Sequence, residues 1–301
     1  MEKKVISQKR NSNCKSKGFT LIELLIVVAV VGVLSAVVIG ALNITSQIGK
    51  ANLAKAKTFA ASLENSLAIT QAGKWSFEEV SSPSKDTSGY GNDGTWGAGV
   101  TSKTASQCGL GFGSCMSFDG TPNSYISHST TGMIPSSGTV AGWVKPPSAG
   151  ARWGFWQTRN DALINQGNWI AMFAYPLDVP AGQTFIFRIE PPTGPPAKDL
   201  YFTLSKYVKL NNWTHLAFVW GGTSMKIYAN GDLIASRNDM VAVDFPNPID
   251  SQARIGYNGH DDGVSVDRLL DEVAVYSQAL TTQNIQQLYA KGLLKHLLAK
   301  N

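Results

Sequence analysis

Histidine is scarce in this 301-residue chain, and its four copies, His128, His215, His260 and His296, show no metal-ligand spacing. Cysteine is rarer still. Cys14, Cys108 and Cys115 have no histidine or further thiol close by, which argues against a metal pair. There is no Walker-type phosphate loop and no nucleophile–base constellation. Adjacent carboxylates occur at Glu78-Glu79 and Asp271-Glu272. Neighbours along a strand point to opposite faces, whereas two carboxylates flanking one glycosidic bond need a spacing of two. An enzyme is therefore not expected, and no catalytic residue is assigned. Charged residues make up 16% of the chain, and its formal net charge is +5. The first 18 residues hold Lys3, Lys4, Lys9, Arg10, Lys15 and Lys17 against Glu2, which accounts for all of that excess. The remainder is near neutral, so the basic balance is no sign of a nucleic-acid partner. After Ala72 no run is long and apolar enough to span a membrane.

Before it, one is. Lys17 to Leu42 reads KGFTLIELLIVVAVVGVLSAVVIGAL, apolar almost throughout from Phe19 onward. Its length is about the 20 residues that a helix needs to cross a hydrocarbon core. The one ionisable side chain inside it is Glu23. A charge there costs about 2.5–3.5 kcal/mol on insertion scales, so it is compensated or functional. Lys17, Gly18, Phe19, Thr20, Leu21, Ile22 and Glu23 together resemble the N-terminus of a type IV prepilin. The resemblance implies cleavage between Gly18 and Phe19 by a prepilin peptidase, and N-methylation of the new Phe19 amine. It also implies that Glu23 pairs with the Phe19 amine of a neighbouring pilin or pseudopilin subunit. A buried carboxylate and a buried ammonium are tolerable when paired. An ordinary signal anchor explains neither Gly18 nor Glu23. The basic leader stays on the cytoplasmic side. The expectation is a single-pass inner-membrane protein whose C-terminal part lies outside the cytoplasm, assembled into a cell-surface pilus or a periplasmic pseudopilus.

Beyond Leu42 the helical period continues but turns amphipathic, with Ile44, Ile48, Phe59, Leu63 and Leu67 on one face. Gly73 is the expected stop, so one helix is predicted over 19–72, its part 19–42 in the membrane or filament core and 43–72 on the globular part. From Lys74 short alternating runs separated by turn residues predict an all-β sandwich. Expected strands are Thr139 to Lys145, Trp169 to Tyr175, Thr184 to Ile189, Trp213 to Trp220, Met225 to Ala229 and Leu269 to Tyr276. Asn230-Gly231 is a hairpin signal. Thr281 is placed to cap a short helix ending at Gly292.

Seven segments in order are similar to a laminin-G-like, concanavalin A-like jelly roll. They are KWSFEEV from Lys74, DTSGYGNDGTW from Asp86, CMSFDGTPNSYIS from Cys115, VAGWVKP from Val140, WTHLAFVWGGTSMKIYANGDLIA from Trp213, ARIGY from Ala253 and LLDEVAVYSQALTTQNIQQLY from Leu269. The stretch Gly150 to Asp199 matches least and reads as family-specific loops. The fold class is thus α+β, with a leader at 1–18, the helix at 19–72, a sandwich at 73–292 and a tail at 293–301.

With the leader removed, Cys108 and Cys115 remain in a compartment that permits disulfides, and a bond between them is expected. No cofactor is required, but relatives of this fold bind calcium at the sandwich rim. The candidates here are Asp86, Asn92, Asp119 and Asp271. Each also suits a plain turn. Trp153, Trp156 and Trp169 lie near the unmatched loops and are the candidates for stacking on a ligand. The sequence reads first as a minor type IV pilin whose lectin-like head recognises a glycan or another surface ligand. The alternatives are a pseudopilin of a type II secretion system and an anchored lectin-like protein that never polymerises.

Overall fold

The computed structural model describes residues 65–109, 112–146, 152–158, 168–175, 184–191, 196–246, 249–257 and 268–298, with isolated positions at Leu21, Ala54, Lys55, Thr58, Ala61 and Ser62. The chain divides into two units, Met1–Phe59 and Ala60–Asn301. In the first, Leu21, Ala54, Lys55 and Thr58 are helical, and the Thr58 hydroxyl donates to the Ala54 carbonyl one turn back. Gly18, Phe19 and Glu23 lie outside the described residues, as does the expected span 19–42 apart from Leu21. Among the described residues no helix is long and apolar enough to cross a membrane.

In chain order the described strands of the second unit are β1 (Gln71–Trp75), β2 (Thr95–Trp96), β3 (Val100–Lys103), β4 (Cys115–Phe118), β5 (Ile126–Ser129), β6 (Ser137–Lys145), β7 (Trp153–Thr158), β8 (Trp169–Tyr175), β9 (Thr184–Glu190), β10 (Lys198–Thr203), β11 (Thr214–Gly221), β12 (Ser224–Ala229), β13 (Asp232–Arg237), β14 (Gln252–Ile255) and β15 (Arg268–Tyr276). They form two antiparallel sheets, as the jelly-roll reading requires. The eight-stranded sheet runs β13-β12-β11-β6-β15-β4-β3, with β1 paired to the second half of β15. The seven-stranded sheet runs β10-β9-β8-β7-β14-β5-β2.

Alternation along the strands builds the core between the sheets. In β11, Leu216, Phe218 and Trp220 enter it, whereas Ala217 and Val219 belong to a second cluster. Phe218 meets Phe155, Phe185 and Phe187 with ring centroids 5.3–5.7 Å apart. Each such fully buried side chain contributes about 1.5–3 kcal/mol. The second cluster also holds Ala141, Tyr228, Ala274 and Tyr276 on the outer side of the eight-stranded sheet. The C-terminal helix Thr282–Leu298 covers it through Ile285 and Leu288, with Leu67 beside them. Asn230 and Gly231 both take positive φ, 51° and 87°, as the tight β12–β13 hairpin demands.

Three boundaries differ from the sequence reading. The helical residues Asn65–Ala68 give way to β1 at Gln71, so the helix does not reach Ala72. Gly73 is a strand residue at an irregularity in the β1–β15 register, and a Cβ there would collide with the Trp75 ring. The C-terminal helix likewise runs through Gly292 to Leu298, so neither the sandwich boundary at 292 nor a separate tail at 293 survives. At Gly292 a Cβ would sit 2.6 Å from Trp143 Nε1, so this glycine admits the ring and does not stop the helix. Its other end is closed as expected: the Asn284 amide donates to Thr281 Oγ1, and the Thr281 amide donates to Asn284 Oδ1. Third, ARWGFWQTRND is not a surface loop, because its centre is the core strand β7.

Candidate functional site

The three candidate tryptophans separate cleanly. Trp153 and Trp156 are fully buried in β7, which corrects their assignment as ligand contacts. A register shift between Gly154 and Trp156 lets Phe155 and Trp156 both enter the core, which strict alternation would forbid. Trp153 packs edge-on to Phe185 at 5.1 Å. Trp156 donates from Nε1 to His128 Nε2 at 3.0 Å, so that nitrogen carries no proton, and Nδ1–H donates to the Ser129 carbonyl at 2.8 Å. Burial pushes the His128 imidazole down to about 4, which keeps this arrangement neutral.

Trp169 alone of the three faces outward, on the seven-stranded sheet. It stacks on Phe173 with the rings 14° from parallel and donates from Nε1 to Glu190 Oε2. The Arg188 guanidinium lies 5.8 Å from its ring centroid. Arg188 makes a two-pronged pair with Asp199, both bonds 2.7 Å, and Tyr201, half exposed, donates its hydroxyl to the same carboxylate. That carboxylate holds the Arg188 guanidinium above its usual range.

These residues end a longer row. Strand pairing places Asp199 opposite Arg188, Arg188 opposite Ala171, Ala171 opposite Gln157, Gln157 opposite Arg254, Arg254 opposite Ser127 and Ser127 opposite Thr95. One residue from each of the seven strands therefore lines up across the sheet, over roughly 29 Å at about 4.8 Å per strand. Arg254 is held over the rings of Tyr125 and Tyr257 at 4.3 and 4.7 Å. Gln157, at the centre, is fully buried, and neither end of its amide makes a hydrogen bond. Native interiors rarely leave such an amide unsatisfied. The sequence reading missed this row. Its signal was present as polar side chains at a period of two, Arg188 and Glu190 in RIE and Asp199 and Tyr201 in KDLY, but register between distant strands cannot be read from one strand at a time.

The calcium candidates do not assemble. Asp86 accepts from the amides of Lys74, Ser88 and Asn92 and from the Ser88 hydroxyl, which occupies both its oxygens twice. The buried Asn92 side chain donates to the carbonyls of Ala72 and Thr131. These two residues organise one turn. Asp119 accepts from the Thr121 amide and hydroxyl, and Asp271 accepts from the Glu272 amide, each in its own strand end or bulge. No group of three or more His, Cys, Asp or Glu side chains that could hold a metal occurs among the described residues. Cys108 and Cys115 are bonded, with Cα atoms 6.0 Å apart. Phe112, between them, stacks on Trp213 at 4.3 Å, and Trp213 Nε1 donates to the Cys108 carbonyl.

Residues 119–286, more than half of the chain, match the family model of the Concanavalin A-like lectin/glucanases superfamily. The chain belongs to that superfamily. Residues 13–39 match the prokaryotic N-terminal methylation motif, which covers Gly18, Phe19 and Glu23. No curated protein matches the sequence. Among solved structures, the superfamily fold is shared with the botulinum neurotoxin serotype D binding domain, at 15% identity and a TM-score of 0.57 over 75% of this chain and 52% of that one. A second crystal structure of the serotype D domain, in complex with N-acetylneuraminic acid, gives 16% and 0.56 over 75% and 52%. The binding domain of Paraclostridial Mosquitocidal Protein 1 gives 17% and 0.53 over 74% and 52%. The chain spans about half the length of these structures, and at such identities the likeness is one of fold.

Proposed function

We propose that this protein is a minor type IV pilin, anchored in the inner membrane before assembly, whose superfamily head recognises a glycan or another surface ligand. The observation that carries the reading is the union in one chain of the methylation motif at 13–39 and the lectin-like domain at 119–286. The motif supplies a prepilin peptidase site at Gly18–Phe19 and, in Glu23, the carboxylate that a neighbouring subunit's amine needs. The head supplies, on the outer side of the seven-stranded sheet, Trp169 and Tyr201 as ring faces and Arg188 as the cation beside them. Aromatic faces and guanidinium forks suit a sugar that bears a carboxylate. The complex of a similarly folded domain with N-acetylneuraminic acid supports that choice of probe. The reading has no enzymatic step, and calcium is tested as an additive.

The deciding experiment is to shear intact cells, pellet the released filaments and read the N-terminus of this protein in every fraction by mass spectrometry. Phe19 as an N-methylated terminus in the sheared filaments is the expected result. The same terminus confined to the envelope would favour a pseudopilin of a type II secretion system. An intact Met1 terminus in cells that process other prepilins would overturn both and leave an anchored lectin. Binding of the purified full chain to N-acetylneuraminic acid, with and without added calcium, then tests the head.

A further inference from the structure

Behind the eight-stranded sheet lies a cavity of about 300 Å³, the size of the smaller ligand pockets in proteins. Its floor is low because the strands carry alanine there: Ala274 of β15 pairs with Ala141 of β6, and both line the space. Leu288 and Gly292 of the C-terminal helix form one wall, and Leu67, at the end of the helical stretch Asn65–Ala68, forms another. At Gly292 the missing Cβ makes room for the Trp143 ring, which with Tyr276 supplies the aromatic surface.

The buried polar groups of the lining are already used, with one exception. Gln71 Nε2 donates to the Tyr276 hydroxyl at 3.3 Å, and the Thr87 hydroxyl donates to the Lys74 carbonyl at 3.3 Å. Lys74, Lys291 and Glu272 each interact with a further group, so none of them is a free charge, and Asn65 is exposed to water. The exception is His215, which lines the cavity while only 4% exposed. Its Nδ1 is buried without a hydrogen bond, and among the described residues no partner reaches Nε2. The Trp143 and Tyr289 rings, with centroids 5.4 and 6.0 Å away, hold the imidazole in place. Burial pushes it down to about 3, so the ring is neutral and carries one proton. Orphaned buried N–H groups are the rarer defect, which places that proton on Nε2 rather than on the enclosed Nδ1. A void left by imperfect packing is apolar and dry, whereas this one holds an unmade hydrogen bond.

One unpaired donor in an otherwise satisfied, ring-lined space selects the ligand. A sugar would bring a hydroxyl on nearly every carbon and leave most of them unmatched. A carboxylate or an ammonium would give up its water against charges that already have partners. What fits is neutral, flat and polar at one atom. We propose that this cavity binds a small neutral aromatic alcohol of the phenol class, its oxygen accepting from His215 Nε2 and its ring packed against Trp143 and Tyr276. The site lies on the opposite sheet from Trp169 and Arg188 and does not rest on the reading of that face.

The test is an NMR titration of the full chain in detergent, followed on the Trp143 indole N–H so that uptake by micelles is not counted as binding. Phenol is expected to shift that signal saturably, with a dissociation constant of about 1 mM or tighter, as befits a ligand of about seven heavy atoms. Toluene, the same shape without the hydroxyl, is its counterpart. His215→Phe keeps a ring and removes the donor, and is expected to weaken phenol about tenfold while leaving toluene within about twofold. Ala141→Leu fills the floor and is expected to abolish binding of both, with melting curves reporting any loss of fold. Glucose and benzoate are each expected to bind the unmodified chain about tenfold more weakly than phenol, or worse. No saturable shift with phenol, a His215→Phe variant that treats phenol and toluene alike, undiminished binding in Ala141→Leu, or tighter binding of glucose or benzoate would each overturn the proposal. The comparison of ligands on the unmodified chain decides even where a variant does not fold.

Discussion

On the eight-stranded sheet the outward residues Ala141, Ala217, Val219, Tyr228, Ala274 and Tyr276 form an apolar cluster that Leu280 and, from the C-terminal helix, Ile285 and Leu288 close. On the seven-stranded sheet the outward row is Asp199, Arg188, Ala171, Gln157, Arg254, Ser127 and Thr95. Both sheets use the same two-residue period, and both turn their larger apolar residues inward. The difference lies in what the second face is for. One is covered by a third structural layer, the C-terminal helix packed on it through Ile285 and Leu288. The other carries the Trp169 and Tyr201 rings and the Arg188–Asp199 pair on its outer side, with Gln157 and Arg254 of the same row buried beside them.

Acid is the strongest way to break both halves at once. Each sheet holds one buried neutral imidazole: His128, bonded by Trp156 and packed 4.3 Å from Trp75, and His215, beside Trp143 at 5.4 Å. Burial lowers their folded values to about 4 and about 3 from an ordinary 6.5. The unfolded chain takes up protons below pH 6.5 while the folded chain does not. This stabilisation is therefore complete above pH 6.5 and is lost as pH falls towards 4 and 3. The slope is up to about 1.4 kcal/mol per pH unit for each histidine. Urea unfolding between pH 7 and 4.5 should show the decline, and His128→Gln and His215→Gln should each flatten it. A flat profile in the unmodified chain would mean that these rings are not held neutral.

The layer behind the eight-stranded sheet comes next in size. Ile285 is fully buried against that sheet, and Ile285→Ala is expected to cost about 3 kcal/mol in urea unfolding. Binding at the opposite sheet should not change. A third substitution probes the turn chemistry. Asp86→Ala strips the acceptor from three amides and one hydroxyl, with an expected cost of about 2 kcal/mol. If Asp86 is a turn residue and no calcium ligand, the loss will be the same with calcium and with a chelator present.

How much of this was legible in the sequence follows the range of the interactions. The strand Trp169–Tyr175 was read to the residue, because its period of two is local. So was the Asn230-Gly231 hairpin, where both residues must reach positive φ. The disulfide needed only compartment and count. What failed was non-local. Trp153 and Trp156 looked like residues near loops because Gly150 to Asp199 matched the jelly-roll segments least, and their strand carries a register shift that only the neighbouring strand β8 defines. Gly73 and Gly292 looked like helix stops, but each makes room for a tryptophan ring, Trp75 within its own strand and Trp143 on a strand far away in sequence. The row across the seven-stranded sheet could not be assembled from the sequence at all, since six pairings between strands decide it. Trp169 was singled out from the sequence and lies on the outer side of β8, whereas Arg188, Gln157, Asp199 and Arg254 were not singled out.

The smallest expected change in stability carries the sharpest comparison. Arg188 and Asp199 form a partly exposed pair, with side chains 29% and 13% accessible, and pairs of that kind contribute little net stability. Arg188→Met keeps most of the packing against Trp169 while removing the fork, so unfolding should shift by less than about 1 kcal/mol. Binding to an N-acetylneuraminic acid surface should nonetheless fall at least tenfold, because a neutral thioether removes the cation and leaves the Asp199 carboxylate uncompensated against an acidic sugar. Ile285→Ala should do the reverse, losing stability and keeping binding. If Arg188→Met instead unfolds the head and Ile285→Ala abolishes recognition, the roles assigned to the two faces are exchanged. The ligand would then have to be sought beneath the C-terminal helix, since Arg188 would be a structural staple of β9 and β10.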